Sequence, residues 1–307
     1  RQMKAQFDKY FGTGKEYDEI ETSPTQPSQR EGEKKQTKTK KSPENQFDLF
    51  GFYEEDETPS PTEKDGMRHY ATLETTEHFY QIVQGDLPVK LLLQNLLNQT
   101  SVCFDTETTG IDALNAELVG MSFAYEKGKA FYVPFPENQD EAQALVEKFK
   151  PFFENEAIEK IGKNMKYDIK VLANYGIMVK GKLFDTMIAH YLINPDMRHN
   201  MDVLSETYLK YSPKSIETLI GKKGKNQLSM RQVELEAIKE YAAEDADITL
   251  QLKEHFQPIL EKVGTKKLFD EIEIPLIPVL ADMEMEGINL DEDFLKKMSV
   301  DMAKESS

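Results

Sequence analysis

Asp105 and Glu107 stand one residue apart where the apolar run Val102-Cys103-Phe104 stops. A strand sends alternate side chains to one face, so the two carboxylates project side by side from a strand end. Carboxylates that close repel each other unless a cation lies between them. Oxygen ligands of this kind select Mg²⁺ or Mn²⁺ over softer metals.

Two further segments supply matching groups. Gly162-Lys-Asn-Met-Lys-Tyr-Asp168 follows a short apolar strand and enters a helix, with Asp168 about one turn inside, facing back toward the strand ends. Tyr241-Ala-Ala-Glu-Asp-Ala-Asp247 lies in a long helical pattern. At about 100° per residue, Tyr241 and Asp245 share a face and Asp247 points well away from it. Ala242 and Ala243 leave room for close approach to a sheet. Asp245 is therefore the expected ligand, with Glu244 and Asp247 as weaker candidates.

Asp105, Glu107, Asp168 and Asp245 can hold two divalent ions about 3.5–4 Å apart, the arrangement that stabilises attacking and leaving oxygens in displacement at phosphorus. Asp105 bridges the ions in this reading, with Glu107 and Asp245 on the first and Asp168 on the second. The attacking water has a lowered pKa, and Tyr241 is placed to orient it. A lone Asp-x-Glu is unsurprising among 55 acidic residues, and a Tyr-x-x-x-Asp pair often lies on a solvated helix face. Three acidic sites in this order, each at a strand end or on a sheet-facing helix, are a much rarer coincidence.

The elements that must position these groups follow from periodicity. A short strand is expected over 70–73, helices over 77–83 and 88–97, and strands over 102–105, 118–125 and 130–135. Lys127-Gly128-Lys129 is a hairpin signal between the last two. A helix over 141–153, a strand over 159–162 and a helix over 165–175 ended by Gly176 come next. Helical runs then cover 185–193, 201–209, 233–263 and 268–287. Strands first, then alternation, then helices predicts an α/β or α+β domain with a mixed central sheet flanked by helices.

Residues 1–66 read as a linker, largely disordered, because the stretch 12–65 is polar and cannot bury enough apolar surface to fold alone. Within it, Gln46-Phe-Asp-Leu-Phe50 is an apolar island suited to docking on a partner. The net charge of -17 over 307 residues argues against a broad duplex-coating surface but not against gripping a few nucleotides. The single cysteine, Cys103, excludes an internal disulfide, fits a reducing compartment and reads as an inert core residue. No stretch is long and apolar enough to span a membrane. A chain that opens at Arg1 and stops at Ser307 after a helix-like run reads as part of something longer.

Asp105-Thr-Glu-Thr108, Asn164-Met-Lys-Tyr-Asp168 and Tyr241-Ala-Ala-Glu-Asp-Ala-Asp247 resemble the three motifs of the four-acid 3′–5′ exonucleases, in the variant with tyrosine. The similarity is closer still to the proofreading domain of the bacterial DNA polymerase I family. Leu172-Ala-Asn-Tyr-Gly-Ile177, Phe184-Asp-Thr-Met187, Gly224-Lys-Asn-Gln-Leu228 and Ile274-Pro-Leu-Ile-Pro-Val-Leu-Ala281 carry it.

The resemblance implies a ribonuclease H-like exonuclease fold over 67–264, the start of a polymerase domain over 265–307, and a bacterial, nucleoid-associated protein of the cytoplasm. It implies metal-ligand roles for the four acids and a water-orienting role for Tyr241. Thr108, Ile111, Asn164, Tyr167 and Arg198 correspond to positions lining the path of a DNA 3′ end. Two departures stand out: Lys163 replaces a family glutamine, and Ile216 replaces a phenylalanine that stacks on a base, a contact worth about 1–3 kcal/mol. The basic run Lys222-Lys-Gly-Lys225 is suited to phosphate contact.

Gln46, Leu49 and Phe50 resemble the peptide by which bacterial replication proteins hold the sliding clamp. The expected activity is two-metal hydrolysis of single-stranded or frayed DNA from its 3′ end, releasing 5′-mononucleotides. The alternatives are an RNA-trimming exonuclease of the ribonuclease D type and a non-catalytic scaffold for the polymerase.

Overall fold

Apolar residues at period two build a six-stranded mixed sheet in the computed structural model, which describes residues 70–222, 224 and 227–305. The expected linker over 1–66, with Gln46, Leu49 and Phe50, lies outside the described residues, as do Lys223 and Lys225 of the basic run.

The strands are β1 (Phe79–Ile82), β2 (Ser101–Thr108), β3 (Leu118–Glu126), β4 (Lys129–Pro134), β5 (Glu159–Gly162) and β6 (Leu183–Asp185). Their spatial order is β1-β4-β3-β2-β5-β6. The β2–β3 and β3–β4 pairs are antiparallel, whereas β1 on β4, β5 on β2 and β6 on β5 are parallel. The hairpin expected at Lys127-Gly128-Lys129 joins β3 to β4, with Gly128 at φ 75°.

Nearly all of β3 is buried, as expected of a strand covered on both faces. On one side Phe104, Phe123, Phe149, Phe152 and Phe153 interlock, with ring centroids 5.1 Å apart for Phe104–Phe153 and 5.3 Å for Phe123–Phe149.

Helices follow as α1 (Asp86–Leu97), α2 (Gln139–Phe153), α3 (Met165–Asn174), α4 (Thr186–Ile193), α5 (Met201–Leu204), α6 (Ile216–Ile220), α7 (Leu235–Val263), α8 (Ile274–Glu286) and α9 (Glu292–Glu305). The 29-residue α7 runs across the sheet on small residues, with Ala242, Ala243 and Ala246 fully buried. No described helix is long and apolar enough to cross a membrane.

Four expectations need correction. The helix expected over 77–83 is strand β1, in which Phe79 and Gln81 are exposed and Tyr80 and Ile82 half-buried; this alternation suits an edge strand and not a helix. The strand expected over 70–73 is a single bridge, Ala71 to Tyr211, followed by a 3₁₀ turn at Leu73–Thr75. The strand expected to end at Asp105 continues to Thr108, because Glu107 still pairs with Gly120 on β3. The helix expected from 185 begins only at Thr186, after Leu183–Asp185 has added the sixth strand.

Candidate active site

The strand β2 carries both acids of its Asp-x-Glu pair inside the ladder. Asp105 and Glu107 therefore share one pleat face, and α7 crosses that face bringing Asp245. Ligand atoms of Asp105, Glu107 and Asp245 lie within 4.8 Å of one another, with Glu107 buried and the other two half-buried. Asp168 stands outside that close trio but against Asp105, whose charge it opposes. Its Oδ1 accepts hydrogen bonds from the Thr106 amide at 3.2 Å and the Thr106 hydroxyl at 2.5 Å.

Electrostatics of the four groups have one sign. Burial and the Asp168 carboxylate push Asp105 up to about 8. Burial, opposed by the Thr106 hydrogen bonds, raises Asp168 to about 7. Glu107 and Asp245 are driven well above the carboxylate range by burial, with Asp105 the next cause for each. Four carboxyl groups, two buried and two half-buried, that resist ionising together form a set of hard donors, which fits divalent cations. Ser122, the cross-strand partner of Asp105, adds a buried hydroxyl with no hydrogen-bond partner among the described residues.

Tyr241 lies one turn before Asp245 and helps keep that carboxylate ionised, while burial and Asp245 push its own hydroxyl well up. Lys163 falls beside Asp105, because β5 pairs with β2 through Ile161 and Cys103 and both strands run the same way. Its charge opposes the rise at both Asp105 and Asp245.

The weaker acidic candidates on α7 are engaged elsewhere. Asp247 accepts from Tyr80 Oη at 2.8 Å, from the Gly128 amide at 3.0 Å and from Gln251 at 3.1 Å, so it ties α7 to β1 and the β3–β4 hairpin. Glu244 accepts from the Tyr211 hydroxyl and, at 2.8 Å, from the Lys214 amide.

Thr108, Tyr167 and the Gly110 carbonyl form one hydrogen-bonded group. Ile111 beyond it is 76% exposed, an uncommon setting for isoleucine. Asn164 precedes α3 in the left-handed region at φ 57°, a conformation asparagine tolerates better than most residues. Arg198 is exposed on the loop after α4, and Ile216 is 42% exposed at the start of α6.

Two residues assigned no role from the sequence hold the site together. Thr106 faces away from the trio yet reaches Asp168, which strand alternation alone does not reveal. Asp185 caps α4 through the Met187 and Ile188 amides and reaches the Met165 amide at 2.8 Å, fixing the start of the Asp168 helix. Its signal was the Asp-Thr pair at a strand-to-helix junction. Gly120 opposite Glu107 is also required, since a methyl group there would overlap the buried Tyr132 ring.

Comparison with known proteins adds independent findings. Residues 80–261 match the 3′–5′ exonuclease family model. DNA polymerase I of Pseudomonas aeruginosa is 38% identical over 227 residues, covering 70% of this chain and 25% of that protein. The chain spans about a quarter of the length of the curated relatives it matches. Among solved structures, the POL domain of Pol1 from M. smegmatis in complex with DNA primer-template and dNTP superposes with TM-score 0.57 at 19% identity, covering 73% of this chain and 35% of that one. Brucella melitensis NrnC with bound Mg²⁺ superposes with TM-score 0.52 at 22% identity, covering 71% and 94%. The mixed sheet flanked by helices is the ribonuclease H-like exonuclease fold that these structures share.

Proposed function

The chain belongs to the 3′–5′ exonuclease family of DNA polymerase I proteins, and from that premise we propose that it hydrolyses the 3′-terminal phosphodiester of single-stranded or frayed DNA, releasing 5′-mononucleotides. The observation that carries the reading is the trio Asp105, Glu107 and Asp245, gathered within 4.8 Å on one sheet face with Asp168 adjoining. Asp105, Glu107 and Asp245 would hold one Mg²⁺ or Mn²⁺, and Asp168 with Asp105 would help to hold a second. Bound there, such ions lower the pKa of an attacking water and offset charge at phosphorus.

The protein's own groups do the remaining work. Tyr241 accepts or donates a hydrogen bond to the attacking water and fixes its line of approach. Thr106 holds Asp168 by its Oδ1. Thr108, Asn164, Tyr167 and Arg198 grip the last nucleotides. Ile111 separates the terminal base from its neighbours, and Lys163 attracts phosphate to a site that is otherwise acidic. Unpaired ends are favoured because unstacking costs less at a mismatch.

The reading extends to the organisation of the chain. Residues 67–264 are assigned to the exonuclease domain, 265–307 to the start of a polymerase domain acting in cis, and 1–66 to a linker. Gln46, Leu49 and Phe50 are proposed to bind a sliding clamp. Saturable binding of a labelled 46–53 peptide to the clamp at tens of micromolar supports that part, and its absence defeats it.

The main test uses 3′-ended DNA and RNA with the parent chain and Asp105→Ala, in Mg²⁺ and in EDTA. Stepwise loss of DNA from the 3′ end is expected only for the parent chain in Mg²⁺. Degradation surviving in Asp105→Ala or in EDTA defeats the metal mechanism. Preference for RNA moves the assignment to the ribonuclease D type, and an inert parent chain to the scaffold.

A further inference from the structure

We propose that Glu284 is a positioning residue for the acidic centre, clamping the Asp168 helix from behind. The inference rests on the reading that Asp168 serves that centre. It brings in α8, which lies beyond residue 261 where the exonuclease match ends.

The apolar stripe of α8 is Ile274, Ile277 and Ala281, all buried. Steps of three and four residues continue that stripe to Glu284, so the helix that buries its apolar face also aims this carboxylate inward. There it meets α3. Lys166 Nζ lies 2.5 Å from Glu284 Oε1, and Lys170 Nζ lies 2.6 Å from Oε2. Each carboxylate oxygen thus takes one ammonium group. Burial would raise Glu284, but the two lysines outweigh it and hold the carboxyl below its usual range.

Geometry distinguishes this fork from an ordinary surface pair. Lys166 and Lys170 are i and i+4 on one face of α3, whereas Asp168 is two residues from each, about 200° round the helix. Met165, Asp168, Val171 and Leu172 form the buried front of α3. The fork therefore restrains rotation of α3 about its axis, while Thr106 holds Asp168 in front and Asp185 holds the helix start. A rotation of about 10° moves a carboxylate roughly 6 Å from the axis by about 1 Å. A shift of that size at a reacting centre can cost up to about 100-fold in rate. Isolated exposed ion pairs restrain little, but two converging on one carboxylate fix both translation and twist. The lysines are 23% and 16% exposed, so solvent screens them only in part.

The test compares Glu284→Ala with the parent chain and with Lys148→Met, which breaks the remote Lys148–Asp86 pair. Three quantities are read: exonuclease kcat and KM on single-stranded DNA, Mn²⁺ binding by calorimetry without DNA, and hydrogen exchange of residues 165–174. Glu284→Ala is expected to lower kcat about tenfold with KM changed less than about twofold, to weaken Mn²⁺ binding about threefold, and to speed exchange selectively in α3. Lys148→Met is expected to leave all three unchanged. Glu284→Gln, which keeps the shape and loses the charge, should fall between. Parent-like kcat and Mn²⁺ affinity in Glu284→Ala overturn the proposal. So does a loss accompanied by faster exchange throughout the domain, which marks general destabilisation. If the parent chain degrades no DNA, the functional reading fails, and Mn²⁺ binding with α3 exchange still decides the clamp.

Discussion

Within four residues of α7, three carboxylates meet opposite fates. Glu244 and Asp247 are buried and fully engaged by neutral donors: a tyrosine hydroxyl and a backbone amide for the first, a tyrosine, an amide and a glutamine for the second. Asp245 turns the other way and faces Asp105 and Glu107. A buried carboxylate supplied with donors cements a fold. One supplied with further carboxylates costs stability unless a cation arrives. Residue type is shared, and burial differs in degree, Asp245 being half-buried where Glu244 and Asp247 are fully buried, so it is chiefly the partners that separate structural acids from acids available for chemistry.

The largest expected effect comes from exchanging the charge on the chemical side. Asp245→Asn should reduce DNA hydrolysis on the order of 10³-fold, while the melting temperature in EDTA stays level or rises because repulsion is relieved. A fall in melting temperature like that of a core lesion would break the comparison. On the structural side, Asp247→Ala orphans the Tyr80 hydroxyl and the Gly128 amide. It should cost about 2–3 kcal/mol in urea unfolding and leave the rate per folded molecule within about twofold.

Titration sharpens the contrast. Asp105 and Asp168 are raised from 3.8 to about 8 and about 7, so the folded metal-free state binds protons more tightly than the unfolded one. The stability this confers is full at acid pH and is lost as pH rises through 7 and 8. The loss runs progressively across about pH 5 to 8, and Mg²⁺ should restore the stability. Buried His190, whose Nδ1 lies 2.6 Å from that of His199, acts in the opposite sense. Burial and His199 lower it from 6.5 to about 4, so its contribution is lost as pH falls through that interval. Melting curves from pH 4 to 9 in EDTA should therefore peak on the acid side of neutrality. A rise through pH 8 would contradict the electrostatics of the cluster.

The smallest effect is expected at Thr106. Thr106→Val removes one of two hydrogen bonds to Asp168 and keeps the backbone one. A loss of about 1 kcal/mol in transition-state stabilisation, seen as a five- to tenfold lower kcat, is expected with little change in stability. An unchanged kcat would assign Asp168 its place without help from β2.

The candidate centre was legible in the sequence because its signals are local. Asp105 and Glu107 share a face by strand alternation, and Tyr241 and Asp245 by helical spacing. Asp247 was separated from that pair by the same angle arithmetic. Short elements were not legible. Residues 77–83 contain enough apolar spacing to suggest a helix, and only the parallel ladder of Phe79–Ile82 on β4 selects a strand. Leu183–Asp185 is too short to announce itself, and its strand character comes from hydrogen bonds to β5.

Local chemistry in the sequence by itself determined which carboxylates are candidates, which residues share an element face, and that a mixed α/β sheet would carry them. Dihedral preference and side-chain period act within a few residues, so they survive without a fold. Tertiary structure alone decided that Asp245 meets Asp105 and Glu107 while Asp247 meets Tyr80 and Gly128. It also decided that Thr106 reaches Asp168 and that Glu284 reaches round to the back of the same helix. These partners lie about 60 to 170 positions apart in the chain, where only close packing and long-range pairing determine who neutralises whom.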